Sequence, residues 1–407
     1  MDPITHAAAG AVAMLALRRR PPHCVLVGAL AAASPDADIV FSGDPLNTLL
    51  LHRGITHALP AVPFFAFLLA LLALPLLGRA SGRPCLASSA PARWRFSTVW
   101  LCMACMLLLH IWLDCVTSYG TMIFLPFSAE RIRLNGVFII DLLLTLPLLW
   151  TVWRCRDSRR RGWREKRAAL MAARLALCWI FFYPLLGVGL NALHTVQSTE
   201  TLRADAARRG MVVERAVVLP DAFAPFFWRV LWRERPENSA ADFSPDALLG
   251  EGMPAGGAVV RSAGLNALGR PPTPFSDPQP AMPRAAVTAL AAQSVEAAAF
   301  FDFALLPVLD VLPGDDRNAL LPPDVRQWRS YDLRFGSSLA FVRELMALRP
   351  HADIPFQLFF AVEAGDREAL RLKSVRLRFS DSRRDSGWIP PTGPRTPSPF
   401  RALVGLR

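Results

Sequence analysis

The apolar positions of this chain gather in its first half, in runs long enough to cross a bilayer. The pattern predicts four spans, at about 58–78, 97–118, 137–153 and 168–193. Two shorter apolar pieces precede them, Ile4–Leu17 and Cys24–Ser34, each too short to cross unaided. They read as a helical hairpin bent at Arg18–Pro22. Arg18, Arg19 and Arg20 follow the first piece, whereas a secretory signal carries its charges ahead of it.

From about residue 196 the pattern becomes that of a soluble domain. Met211–Leu219 and Pro355–Val362 read as buried strands. Lys373–Ser380 alternates, with Val375, Leu377 and Phe379 on one face and Arg376 and Arg378 on the other. Ala285–Phe303 reads as one helix. Arg270–Arg284 holds six prolines and reads as a linker or surface loop; residues 388–407 read as a disordered tail. The expected fold class is a membrane all-α helical bundle, residues 1–195, followed by a soluble α+β domain, residues 196–407.

Charge adds an orientation. The chain has 45 basic and 33 acidic side chains, but residues 1–195 hold 19 and 9 of them, a net of +10. Arg79–Arg95 carries four arginines and no acid; Arg154–Arg167 carries eight basic residues and two acids. Positive loops stay in the cytoplasm, so both should lie inside, and loop 119–136 and everything after about residue 195 outside. The expected location is a bacterial inner membrane, crossed several times. Arginines beside membrane segments are not a nucleic-acid footprint, which needs a basic face on a soluble domain. All seven cysteines lie between Cys24 and Cys178, mostly in apolar runs, and read as small apolar residues.

The candidate chemistry lies in the membrane half. Carboxylates are scarce there, and an ionisable group inside a span is costly unless paired or ligated. Yet Asp114 and Asp141 fall within apolar helices, and Asp36 and Asp38 end an apolar piece. His110 and Asp114 are four apart, so one helix face offers an imidazole and a carboxylate together. His52 and His57 flank a Gly54-containing turn, and His6 lies in the first short helix. With no thiolate in the set, the donors suit zinc, with manganese or iron as alternatives. More than four potential ligands leave room for one or two divalent ions. The loop charges bring His6, Asp36, Asp38, His52, His57, His110, Asp114 and Asp141 to one membrane face.

Five blocks carry a resemblance: Asp2-x-x-Thr5-His6-x-x-x-Gly10, Pro35-Asp36-x-Asp38, His52-Arg53-Gly54-x-Thr56-His57, His110-x-x-x-Asp114, and Thr117-x-Tyr119-Gly120-Thr121 followed by Pro126-Phe127. In order and spacing they resemble the bacterial membrane-bound metal-dependent hydrolases of the YdjM type. The resemblance covers roughly residues 1–150. It extends weakly to Pro220-x-x-x-x-Pro225-Phe226-x-Trp228-Arg229 and Asp332-Leu333-Arg334-Phe335. It implies hydrolysis with ligands drawn from those His and Asp positions.

Other polar residues have narrower readings. Asp2 reads as a helix N-cap, and Thr56 and Thr117 as hydrogen bonders. Arg53 offers a planar fork of donors for a phosphate or carboxylate. Asp36, Asp38 or Asp114 would serve as ligand or base beside a metal-activated water. The expected substrate is an amphiphilic small molecule or lipid with an ester or phosphoester, and the expected partners are membrane lipids, with no nucleic acid. Two other readings stand beside this one: a transporter or proton-conducting protein using the same cluster, and an envelope scaffold with a structural metal. The chain has no Gly-x-Ser-x-Gly elbow or Gly-rich phosphate loop.

Overall fold

The computed structural model describes residues 1–18, 21, 23–77, 94–156, 162–238, 248–249, 257–266, 273–274, 276–312, 314–348, 354–364, 370–379 and 384–393. Two compact units emerge, residues 1–41 with 53–190, and residues 42–52 with 191–399. Most of the basic segment 79–95 and part of 154–167 lie outside the described residues.

The first unit is helical. Helix α1 (Pro3–Leu15) starts at an N-cap aspartate: the Asp2 side chain accepts from the Thr5 amide at 3.0 Å, with Pro3 in the first turn. It packs along α2 (Cys24–Ala33), so the expected hairpin forms. Glycines make the contact close. A Cβ on Gly10 would stand 2.2 Å from the Gly28 carbonyl oxygen. A 3-10 turn, Ser34–Ala37, and the short α3 (Asp38–Phe41) follow. Helix α4 (Pro45–Leu51) belongs to the second unit. The 3-10 turns Ile55–His57 and Leu59–Ala61 lead into α5 (Val62–Leu77), and α6 (Phe96–Cys115) returns beside it.

The next two elements differ from the expected spans. Residues 137–141 do not begin a helix. The amides of Gly136 and Val137 donate to the Val116 carbonyl at 2.8 and 3.1 Å, which ties this segment to the end of α6. Helix α7 (Leu142–Cys155) therefore has 14 residues and a length of about 21 Å, short of a bilayer core. Helix α8 (Trp163–Arg208) has 46 residues and runs past the expected end at 193, to about 69 Å. Pro184 lies within it without ending it, as membrane helices permit. Among the described residues, three stretches are long and apolar enough to cross a membrane: Leu59–Leu77, Phe96–Cys115 and part of Trp163–Arg208. Among the buried clusters that hold the unit, one lies around Met14, Val27, Ala66 and Met103 and another around Val12, Leu113, Leu144 and Ile180.

The second unit is α+β. Strands β1 (Met211–Pro220), β2 (Phe227–Pro236) and β3 (Val259–Asn266) form an antiparallel sheet, with β4 (Thr273–Pro274) and β5 (Gln279–Pro280) both on β3. Thr273–Pro274 and Gln279–Pro280 of the proline-rich segment, expected as a linker or surface loop, thus pair along a sheet edge, where missing N–H groups cost little. The expected single helix is two, α9 (Arg284–Ala291) and α10 (Val295–Phe303), because the Ser294 hydroxyl caps the second by accepting from the Ala297 amide.

Strands β6 (Pro307–Val311), β7 (Arg326–Asp332), β8 (Gln357–Ala364) and β9 (Leu370–Arg378) form an antiparallel meander. Helix α11 (Ala340–Ala347) lies between β7 and β8 in the chain. The expected alternation holds in β9, where Val375 and Leu377 are fully buried. Residues 388–393, expected as tail, run along the sheet: Ile389 pairs with Val375, and the Trp388 indole donates to the Asp316 carbonyl at 3.1 Å. The rest of that tail lies outside the described residues. The two C-terminal motifs meet in a buried junction, where Arg229 donates to the Arg334 carbonyl at 2.8 Å and Arg334 pairs with Asp332 at 3.1 Å.

Candidate metal centre

Four separate segments of the first unit converge on one buried point. Helix α1 brings His6, the turn after α2 brings Asp36, the turn before α5 brings His57, and α6 brings His110 and Asp114. One ligand atom from each of Asp36, His57, His110 and Asp114 lies within 4.8 Å of the others. The Nε2 atoms of His57 and His110 are 2.9 Å apart, and His57 Nε2 is 3.2 Å from Asp114 Oδ2. His6 joins from the side. Its ring stacks on that of His110 with centroids 3.7 Å apart, and its Nε2 is 3.2 Å from Asp114 Oδ1 and 3.9 Å from Asp36.

The far ring nitrogens are tied down. His110 Nδ1 is 2.6 Å from the Ala32 carbonyl, which can only accept, so Nδ1 carries the proton and Nε2 keeps its lone pair. The Thr56 hydroxyl donates to Asp38 Oδ2 at 2.9 Å and accepts from His57 Nδ1 at 2.8 Å. Asp38 is thus the carboxylate behind a histidine, an arrangement that fixes tautomer and ring orientation for a metal. Its Oδ2 also accepts from the Arg53 amide at 3.2 Å.

Arg53 is nearly fully buried at φ 58, a left-handed conformation that turns the chain inward before His57. Its guanidinium reaches Asp114 Oδ1 at 3.1 Å and Thr117 Oγ1 at 3.1 Å, and lies over the Tyr119 ring at 4.5 Å. The Met1 ammonium also contacts Asp114. Positive groups therefore crowd this fully buried carboxylate, while its Oδ2 has no hydrogen-bond partner among the described residues. An orphaned buried carboxylate oxygen beside two imidazole nitrogens, with no thiolate, fits a divalent cation such as zinc, manganese or iron.

Besides His6 at the side, three expected ligands stand outside the four-residue group: Asp38, which lies behind His57, and Asp141 and His52. Asp141 caps α7, accepting from the Leu144 amide at 3.1 Å and from the Tyr183 hydroxyl at 3.0 and 2.9 Å, so protein donors occupy both its oxygens. His52 ends α4 and falls with the second unit, outside the four-residue group. Tyr183, Tyr119 and Thr145 were not marked as site residues. The signal for Tyr183 was a phenol in an apolar span, one of only three tyrosines in the chain.

Residues 1–189 match the YdjM inner membrane protein family. The matched region contains every residue of the converged group, and the second unit lies almost wholly beyond it. Among curated proteins, the "Uncharacterized protein YfhP" of Bacillus subtilis (strain 168) is 27% identical over 122 residues, 29% of this chain and 33% of that protein. The chain thus spans about a third of the length of that relative. No solved structure matches. The YdjM match and the three apolar stretches make this a membrane protein.

Proposed function

We propose that the YdjM region is a metal-dependent hydrolase acting on an amphiphilic ester or phosphoester. The observation that carries this reading is the convergence of Asp36, His57, His110 and Asp114 from three segments, with both of these imidazoles oriented from behind. When bound there, a divalent ion supplies Lewis acidity and lowers the pKa of a water molecule. The protein's own groups divide the remaining work. His57, His110 and Asp114 hold the ion, and His6 completes the donor set. Arg53 holds Asp114 in place. Asp36 has 14% of its side chain exposed where the others have none, so it is the member that an incoming substrate or water meets, and it serves as base.

Ile4, Val40 and Ile55 support an amphiphilic substrate. They lie within two residues of His6, Asp38 and His57, and are 62%, 75% and 37% exposed. The loop charges support a site on the outer face of the inner membrane. The test is elemental analysis of the detergent-purified chain, paired with hydrolysis assays on short-chain lipid phosphoesters with and without a chelator. Stoichiometric metal with chelator-sensitive turnover is expected. Absence of metal after reconstitution with zinc, manganese or iron would sink the proposal.

A further inference from the structure

The second unit carries large aromatic side chains in exposed positions. Phe226 and Phe227 are adjacent and 56% and 39% exposed, Phe226 in the turn that joins β1 to β2 and Phe227 at the first position of β2. Phe341, at the start of α11, is 52% exposed, and its ring lies 6.0 Å from that of Phe223 in the same turn. Phe223 is held at φ 62, a left-handed conformation that a bulky residue seldom adopts. The turn's acid, Asp221, faces inward and accepts from the Ser337 hydroxyl and the Ser338 amide, so the tip presents no open carboxylate.

The position of this tip follows from α8. From Leu175 to Thr199 the helix has no charged side chain, a length of about 37 Å against a hydrocarbon core of about 30 Å. Asn191 and His194 therefore stand where the helix leaves the hydrocarbon. Both touch the hairpin near its turn: Asn191 Nδ2 donates to the Val218 carbonyl at 2.8 Å, and the His194 ring lies 5.4 Å from that of Trp228.

The direction of the strand is also determined. From Asn191 to Arg208 the helix rises about 26 Å, and β1 from Met211 to Val218 covers about 23 Å, so the strand runs back down the helix. Arg209 fastens the far end to Glu234 at 2.8 Å. Polarity follows the same axis. Asp205, Arg208, Arg209 and Glu234 lie at the far end, and Phe223, Phe226 and Phe227 at the end toward the membrane.

We propose that the Asp221–Phe227 turn is a lipid-anchoring tip that seats Phe226 and Phe227 in the interfacial layer of the leaflet from which α8 emerges. Exposed apolar patches mark such contacts, and aromatic rings suit a boundary that is oily on one side and wet on the other. The anchor lies beyond the family match and does not depend on the hydrolase reading.

The test places photoreactive p-benzoylphenylalanine at position 226, 185 or 205 of the full chain, in vesicles of phosphatidylethanolamine and phosphatidylglycerol. Leu185 is exposed on the apolar part of α8 and Asp205 on its polar end. Lipid adducts are expected at 226 as at 185, and none at 205. Adducts at 185 with none at 226 would overturn the anchor. So would a crosslink from 226 to a second copy of the chain in place of lipid.

Discussion

His57 Nε2 and His110 Nε2 face each other at 2.9 Å in a fully buried space, although neither ring is free to turn away. Their Nδ1 atoms are engaged by Thr56 and by the Ala32 carbonyl, so both lone pairs are aimed at one spot, which a cation satisfies. Changing His110 or Asp114 to alanine removes a ligand and leaves its neighbours buried without a counterpart. Loss of bound metal is expected in both variants, read by elemental analysis after detergent purification. Full occupancy in both would remove α6 from the site.

Arg53 separates a substrate contact from a ligand support. Its guanidinium is committed to Asp114, Thr117 and Tyr119, so it acts first as a positioning residue. Lysine keeps the charge and loses the planar fork that spans Asp114 and Thr117. Arg53→Lys should weaken metal affinity by about 10–100-fold, the usual effect of losing an outer partner. Competition with a chromogenic chelator reads this directly. Unchanged affinity with lowered turnover would instead make Arg53 a substrate contact.

Much of the centre was legible because its ligands sit in short local patterns. His110 and Asp114 share a helix face by spacing alone, and Asp2 and Pro3 mark the start of α1. The misplacements have physical causes. Asp141 resembled a span-embedded carboxylate because its partner, Tyr183, is 42 residues away and no local pattern pairs them. His52 and His57 looked convergent because the turn between them contains Gly54, but only His57 enters the four-residue group. The break between α9 and α10 was concealed by an alanine-rich run that favours helix on both sides of Ser294. The extent of α8 was not readable from hydropathy, because its last turns are polar and their helix continues an apolar one.

Asp141 can be tested directly for a place among the ligands. Asparagine caps a helix about as well as aspartate and still accepts from a tyrosine hydroxyl. Asp141→Asn should therefore retain metal and lose little stability. A fall in metal content comparable to that of Asp114→Ala would return Asp141 to the ligand set.

The second unit should be acid-sensitive through Glu234. Burial alone would raise its carboxyl, but hydrogen bonds from Arg209, Trp232 and Arg261 outweigh that and hold it below the ordinary value of 4.5. A lowered carboxyl contributes stability that is fully present above the unfolded value and lost as pH falls through the folded one. Thermal midpoints of the full chain in detergent, followed by tryptophan emission, should drop as pH falls below 4.5. Glu234→Gln should be less stable at pH 7 and should lose that part of the acid dependence. An unaltered acid profile in Glu234→Gln would place the sensitivity in another carboxylate.

The contact between Gly10 and Gly28 connects helix packing to the metal. Helix α1 carries His6 one turn before Gly10, and α2 ends at the Ala32 carbonyl that orients His110, so the spacing of the two helices sets two parts of the donor set. A methyl group on Gly10 would meet the Gly28 carbonyl oxygen at 2.2 Å and the Ala32 Cβ at 2.5 Å, and backbone cannot yield as a side chain does. Gly10→Ala should cost about 1–3 kcal/mol by overpacking and weaken metal binding at the same time. Gly189 is the control, since a Cβ there meets nothing within 4 Å. Gly189→Ala lies in helix α8, where alanine is the better helix former, and should be neutral or stabilising by up to about 1 kcal/mol. Thermal midpoint and chelator competition on the two variants separate packing from general tolerance. If Gly10→Ala lost stability yet bound metal as tightly as the parent, the α1–α2 contact would be structural only, and His6 and Ala32 would not depend on it.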